Sequence, residues 1–465
     1  MVVSRIEVDQ LKLIDMRGPI MRLLLIVPVM LALVGSWYAG RWYIGDVVAE
    51  YAPGIENGAI ETAQWTTSLA PDDPLTHWTV ASLEKQALPP EKWAEALRHY
   101  EKAVSLSPND YRLWVDLGRA REQSGDREGG EKALRRAVAL APIYAEPRWL
   151  LGNILLRSGR ATEAFAELQL AADQDPRLRP QIFNMAWYVF GQNVEAISRA
   201  AGNSPATRAD LVTYLMGRQL LDDALGQWNG LSAADKIAQR TTGLALMRAL
   251  LDGKRFKAAF KLYSEIDPNG AKGARAGQIL NGGFESDVGM TDENPFDWHV
   301  RSLSQAQIGI DERYRRSGNR SLRVRFQAPG QLNFDTIGQV VLVEPSTSYR
   351  LEFYVRTSEL KSASTPLIQI QDGADRTVLA SSEPLPVGTN EWQPMTVDFK
   401  SGPKTEAIFI ATGRSACDTD TGSACPIFGI VWYDDFNLQR GAAVATAAPQ
   451  GRRADAERAS RPSAR

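Results

Sequence analysis

Histidine and cysteine are nearly absent: three of the first and two of the second in 465 residues. That scarcity leaves little from which to build a zinc site. Basic charge is not in excess either. The 53 Lys and Arg against 55 Asp and Glu leave a net charge of −2. Phosphate backbones are bound through a strong basic surplus, so nucleic acid is not an expected partner. The chain also lacks a nucleotide-binding glycine loop and a Gly-x-Ser-x-Gly elbow. His299 follows Trp298, yet no motif places a Ser or Cys nucleophile beside it. Motifs do not decide whether a glycosidase-type carboxylate pair exists, since 55 acids offer too many candidates. A protein that is not an enzyme is expected.

The length suffices for two or three domains with sizeable cores, and 44% hydrophobic with 23% charged residues is an ordinary globular composition. One stretch departs from it. Leu23–Gly40 is 18 residues without a charge, about the minimum for a hydrocarbon core of roughly 30 Å. Arg17 and Arg22 precede it, and Trp37, Tyr38, Trp42 and Tyr43 crowd its far end, as aromatics do at a membrane interface. Pro28 is tolerated in lipid. These features predict one transmembrane anchor over 23–40 and a cytoplasmic N-terminus over 1–22. The body would then lie in the periplasm of a single-pass inner-membrane protein. A cleaved signal peptide competes, although Trp37 two residues before Ala39 spoils its cleavage site. So does a buried helix of a soluble chain.

Cys417 and Cys425 enclose the loop Asp418–Ala424. A bridge there would stabilise by about 2.5 kcal/mol on the chain-entropy model and suits an oxidising compartment. Two free buried thiols are the alternative.

Between these ends the chain repeats. Pro74, Pro108, Pro142 and Pro176 recur every 34 residues, the period of stacked helix pairs that cannot bury an apolar face alone. In that register Trp114, Leu117, Gly118, Ala137 and Pro142 form one unit. Leu151, Gly152, Ala164, Ala171 and Pro176 form the next, and Ala96, Tyr100, Ala103 and Pro108 belong to the one before. This pattern over 74–176 resembles the tetratricopeptide repeat (TPR). Pro89-Pro90 and Gly130 depart from it. A leading helix is expected over 46–73 and degenerate repeats over 177–268, closed by Asp267-Pro268-Asn269-Gly270. The resemblance implies a groove that holds envelope proteins; a mere spacer is the competing reading. His77 and His99 read as packing or surface residues.

Past Gly277 the apolar period changes to two. Leu322, Val324 and Phe326 alternate with polar neighbours, as do Tyr349, Leu351, Phe353 and Val355, and then Ile368 and Ile370. Trp392–Phe399 and Ala407–Ala411 read as further strands, and short strands between turns argue a β-sandwich. Four motifs carry a second resemblance: Ile279–Glu285 followed by Trp298, Ser317–Leu322, Gln339–Val355 and Val431–Phe436. Together they resemble jelly-roll carbohydrate-binding modules with a galactose-binding-like sandwich, over about 277–440. That resemblance implies a structural calcium near Glu285 and Asp435, because calcium takes hard oxygen ligands. Turn-capping by these two acids is the alternative. A polar stripe of Arg323, Arg325, Gln339, Tyr354, Arg356, Gln369 and Gln371 is the candidate ligand face, against a solvated outer sheet surface. Residues 441–465, rich in Ala, Arg, Ser and Pro, read as a disordered tail.

The fold class expected is therefore multidomain: one transmembrane helix, an all-α repeat solenoid and an all-β jelly-roll sandwich. The function expected is a non-catalytic periplasmic scaffold for protein partners and a polysaccharide, in surface-polysaccharide assembly or export. A purely structural interaction subunit and a carbohydrate-active enzyme are the alternatives.

Overall fold

The repeat prolines fall where helices have to stop. In the computed structural model, which describes residues 18–52, 58–87, 93–267, 277–289, 294–415, 417 and 425–441, α3 (Pro74–Ala87) pairs with α4 (Trp93–Leu106). Then α5 (Tyr111–Gln123) pairs with α6 (Arg127–Leu140), and α7 (Ala145–Arg157) with α8 (Ala161–Gln174). Pro74 opens α3, where its missing N–H costs nothing. Pro108 and Pro142 sit in the turns between pairs, and each turn is tied to the next helix by a side chain six residues on. Trp114 Nε1 donates to Pro108 O at 2.9 Å and Arg148 Nε to Pro142 O at 3.1 Å. Inside the second and third pairs the turn uses a left-handed glycine, Gly125 (φ 95°) and Gly159 (φ 76°), again 34 residues apart.

Close helix approach explains the other glycines. A Cβ on Gly118 would stand 2.7 Å from Leu134 Cγ, and one on Gly152 would stand 2.6 Å from Leu168 Cγ. Gly130, where the repeat pattern has alanine, is forced by the same crowding: a Cβ would lie 2.9 Å from Gly118 O. The first pair solves the position differently. Glu84 and Tyr100 stand where the later pairs have Gly and Leu, and both are buried. Glu84 is held by Gln64 Nε2 at 3.3 Å, and burial pushes its carboxyl above the usual range.

The chain divides into two compact units, residues 1–211 and 212–465. The first begins with α1 (Pro19–Tyr51) and α2 (Ala59–Leu69). The leading helix expected over 46–73 is thus two pieces: the end of α1 and a separate α2. Ala52, Ala63, Val80 and Leu83 close a small core there. Counting described side chains only, no helix is long and apolar enough to cross a membrane. Beyond α8 the unit continues through α9 (Arg179–Phe190), α10 (Val194–Ala201) and α11 (Pro205–Gly217), within which the boundary falls.

The second unit holds α12 (Leu221–Asn229), α13 (Ala233–Ala238), α14 (Arg240–Asp252), α15 (Phe256–Ile266) and ten strands. The strands are β1 (His299–Val300), β2 (Ala306–Asp311), β3 (Ser321–Ala328), β4 (Ile337–Leu342), β5 (Ser348–Lys361), β6 (Leu367–Asp372), β7 (Val378–Ser381), β8 (Gly388–Lys400), β9 (Ala407–Gly413) and β10 (Ile427–Arg440). They form two five-stranded antiparallel sheets, ordered β1-β4-β9-β6-β7 and β2-β3-β10-β5-β8. The inward phase of β5, Tyr349, Leu351, Phe353 and Val355, meets Ile368, Ile370, Ile408 and Ile410 of the opposite sheet in one core.

The last helix pair groups with the sandwich rather than with the repeats. Phe256 and Phe260 of α15 pack on the outer face of the first sheet, against Val340, Leu342 and Ala407. Lys257 Nζ reaches Glu344 at 3.3 Å. Residues 1–17, Pro89-Pro90, the loop Asp418–Ala424, residues 268–270 of the proposed helix stop and the tail from 442 lie outside the described residues.

A disulfide joins Cys417 to Cys425, with Cα atoms 5.7 Å apart. Beside it the half-buried Arg414 gives hydrogen bonds to Ser364 O, Ser362 Oγ and Cys425 O at 2.8, 2.9 and 2.8 Å. Replacing both cysteines by alanine should lower sandwich stability by about 2.5 kcal/mol, read from urea midpoints of oxidised wild type and variant. Equal midpoints would remove the bridge from any stabilising role.

Candidate functional sites

In the first unit the first helices of successive pairs leave a groove of about 520 Å³ between α3 and α5. Its apolar wall is Pro74, Leu75, Trp78 and Leu113. Asp116 Oδ2 accepts from Trp78 Nε1 at 2.7 Å, which fixes the indole. Asp110 caps α5 and takes the Arg112 guanidinium through two bonds of 3.0 and 2.7 Å. Further along, Arg119 reaches Glu146 at 3.7 Å, Tyr111 stacks on Tyr144 with centroids 5.0 Å apart, and Ile143 is exposed. A fixed aromatic flanked by opposite charges can hold an extended or helical peptide segment. His77 and His99 meet through Nδ1 atoms 3.0 Å apart, and burial lowers the pKa of both. Each packs against the other rather than facing a nucleophile.

The expected polar stripe of the sandwich is not one surface. Arg323, Arg325, Tyr354 and Arg356 lie on the outer face of the second sheet, where Trp432 stands directly between Arg323 and Arg356. Gln369 and Gln371 lie on β6 of the first sheet, facing away from that surface. Gln339 belongs to neither face: it is fully buried, and its Nε2 donates to Leu280 O and Phe296 O at 2.8 and 3.1 Å. It holds the opening loop onto β4 and cannot reach a ligand.

On the second sheet Arg323 and Arg356 each have a carboxylate partner, although the Nε of each is buried without a hydrogen-bond partner, and Arg325 is exposed. Arg323 pairs with Asp311 at 3.5 Å, and Arg356 pairs with Glu391. Tyr354 donates to Glu352 at 2.8 Å, and Arg316 lies over the Tyr354 ring at 3.6 Å. The tyrosine face therefore already carries a cation. Trp432 is buried beneath Tyr314 and donates to Asp311 at 2.9 Å; Trp298 is core and donates to Asn281 O at 3.1 Å.

Glu285 and Asp435 do not fit a calcium ion as they stand. Glu285 Oε1 accepts the backbone N–H of Asn319 and Arg320 at 2.8 and 3.2 Å, and Gly318 passes so near that a Cβ would overlap it. Asp435 accepts from Arg316 Nη1 at 2.7 Å and from Ser317 Oγ at 2.6 Å. A guanidinium thus fills a cation's place. Among the described residues no group of three or more His, Cys, Asp or Glu could hold a metal. Neighbouring Asp434 is fully buried, and desolvation pushes its pKa up to about 6 despite bonds from the Arg316 and Ser317 amides. Adding calcium or EDTA should leave the melting temperature of the full chain unchanged. A calcium-dependent rise of several degrees would restore the metal.

Sequence reasoning missed a pocket of about 330 Å³ on the outer face of the first sheet. His299, Arg301, Asp335, Thr336, Gln371, Arg376 and Phe409 line it, with the small Gly338 and Ala411. Alternation along β6 and β9 puts Gln371 and Phe409 on one side. Nothing in the pattern brings in Arg376, which arrives through a turn in a left-handed conformation (φ 63°).

Comparison with known proteins bears on the helices. Residues 91–142 and 115–178 match the tetratricopeptide repeat family model, in agreement with the α4–α8 geometry. No curated protein sequence matches the chain. Among solved structures, MamA is similar at 19% identity over 40% of this chain and 90% of its own, with a TM-score of 0.26. PilF of Pseudomonas aeruginosa is similar at 14% identity over 50% and 95%, with a TM-score of 0.29. A CBM4 structure is similar at 14% over 35% and 99%, with a TM-score of 0.27. Residues 91–178 thus carry tetratricopeptide repeats, a C-terminal two-sheet β-sandwich follows them, and the repeats imply a protein-interaction role.

Proposed function

We propose that this chain is a non-catalytic, membrane-anchored scaffold whose body lies in the periplasm. Its repeat groove holds a segment of an envelope protein, and its sandwich engages a glycan of a surface-polysaccharide assembly or export system. The groove between α3 and α5 carries the scaffold reading, because Trp78 is fixed there by Asp116 yet lines an open cleft. The anchor rests on the uncharged run Leu23–Gly40 taken whole. Its described apolar side chains stand bare on the α1 surface, Leu23 at 68% and Leu33 at 61% exposure. Water does not favour such a helix; lipid does. From Gly45 onward the same helix packs, with Ala49 and the capping residue Ala52 buried.

The test uses the full chain as bait in detergent-solubilised envelopes, beside Trp78→Ala with Asp116→Ala. Wild type should retain a defined protein set that the double variant loses about tenfold, with helical circular dichroism unchanged. Identical capture by both would end the groove reading. Reporter fusions after residue 441 should be active only on the periplasmic side.

The mutual pairing of charges on the second sheet favours a second reading, a structural interaction subunit without sugar affinity. Under it, Tyr354→Ala with Arg356→Ala leaves function intact.

A further inference from the structure

The outer face of the first sheet holds groups that its own fold does not use. Arg376 sits at the tip between β6 and β7 in the left-handed region (φ 63°), a conformation that favours glycine or asparagine over arginine. Its guanidinium carbon lies over the Phe409 ring, 3.8 Å from the centroid. Phe409 in turn lies against Gly338, where a Cβ would come within 2.3 Å of Cζ. The sequence thus gives up a side chain on β4 to seat a ring, and the ring seats a cation. No carboxylate among the described residues pairs with Arg376, whereas neighbouring Arg301 has Asp335 at 3.2 Å. A second group is also unspent. Thr336 lines the same pocket and is 6% exposed, and its Oγ1 is buried with no hydrogen-bond partner among the described residues. Strain at a turn, a stacked and unneutralised guanidinium and an orphaned hydroxyl converge on one hollow of about 330 Å³.

The geometry points to a pocket for a hydroxylated carboxylate, a uronic acid unit, bound by the Arg376 fork with Thr336 and Gln371 serving its hydroxyls. A planar guanidinium matches a carboxylate through two parallel bonds, and stacking removes much of the rotamer entropy that ordering it would cost. The hollow of about 330 Å³, with small Ala411 in its lining, is of a size to take one sugar ring. This inference rests on the reading of the sandwich as a glycan-binding module, and it names the face and the chemical class. The carboxylate could belong to a polymer or to a free sugar acid, so both are probed.

Calorimetry on the full chain would use sodium glucuronate, an oligogalacturonate and neutral cellobiose and galactose. The variants are Arg376→Asn, which keeps a residue suited to the left-handed turn, and Thr336→Val, which keeps shape. Glucuronate or oligogalacturonate should bind, and Arg376→Asn should weaken either roughly tenfold to a hundredfold. Thr336→Val should weaken binding by a smaller factor, with melting temperatures held. Tighter binding of the oligomer identifies a polymer ligand, and equal binding a free sugar acid; either supports the pocket. Uronate binding untouched by Arg376→Asn, or neutral sugars binding as well as charged ones, overturns this site while leaving the module reading standing. Binding of no sugar at all overturns both.

Discussion

Glu265→Ala should cost the second unit about 3–5 kcal/mol of unfolding free energy, because it strands a buried cation. Lys236 Nζ lies 2.9 Å from Glu265 Oε2, and its side chain is only 11% exposed. The same carboxylate oxygen accepts from the indole of Trp228, a fully buried side chain, at 3.3 Å. One deletion therefore leaves an ammonium and an indole N–H without their acceptor, in a helical bundle with little water to replace it. The measurement is a urea transition followed by circular dichroism and tryptophan fluorescence. Lys236→Met with Glu265→Leu should recover most of the loss, since removing both charges removes the desolvation problem. A single alanine variant within about 1 kcal/mol of wild type would show that the pair is solvated and the bundle loose.

Gly152→Leu should destabilise the repeats by about 3 kcal/mol, at the upper end of overpacking costs. The first added carbon alone would stand 2.6 Å from Leu168 Cγ and 3.1 Å from Ala164 O. Leu168 is fully buried and Ala164 O is backbone, so neither can give way cheaply. Gly152→Ala should do less harm, and combining it with Leu168→Ala should cost less than the two singles added, because the smaller neighbour makes the space. Strict additivity in that cycle would mean that α7 and α8 separate to accept the change, and that the glycine is dispensable.

These two sites differ in how far the sequence announced them. Gly152 and Leu168 repeat Gly118 and Leu134 at an interval of 34, so their meeting was legible once the period was found. Lys236 and Glu265 carry no period, and only the folded bundle brings them together. In the sandwich, alternation identified the inward phase of β3, β5 and β6 correctly, because burial of one face imposes a period of two. It misled at Gln339, which occupies an inward position between Ile337 and Val341. Polarity suggested an outward residue there, but two loop carbonyls take its amide N–H groups inside, at the cost of a buried Oε1 without a partner. The stripe failed for a related reason: alternation assigns a side of a strand, not the sheet to which the strand belongs. Arg376 was illegible because its placement depends on a backbone turn, not on its neighbours' polarity.

The packing of α15 on the first sheet limits how the molecule can be dissected. Cutting at residue 277 would bare Val340, Leu342 and Ala407, now sheltered by Phe256 and Phe260. Such a fragment would present a greasy β-surface to its own copies and self-associate, so an excised sandwich has to carry its helical cover from Arg240 onward to stay monomeric.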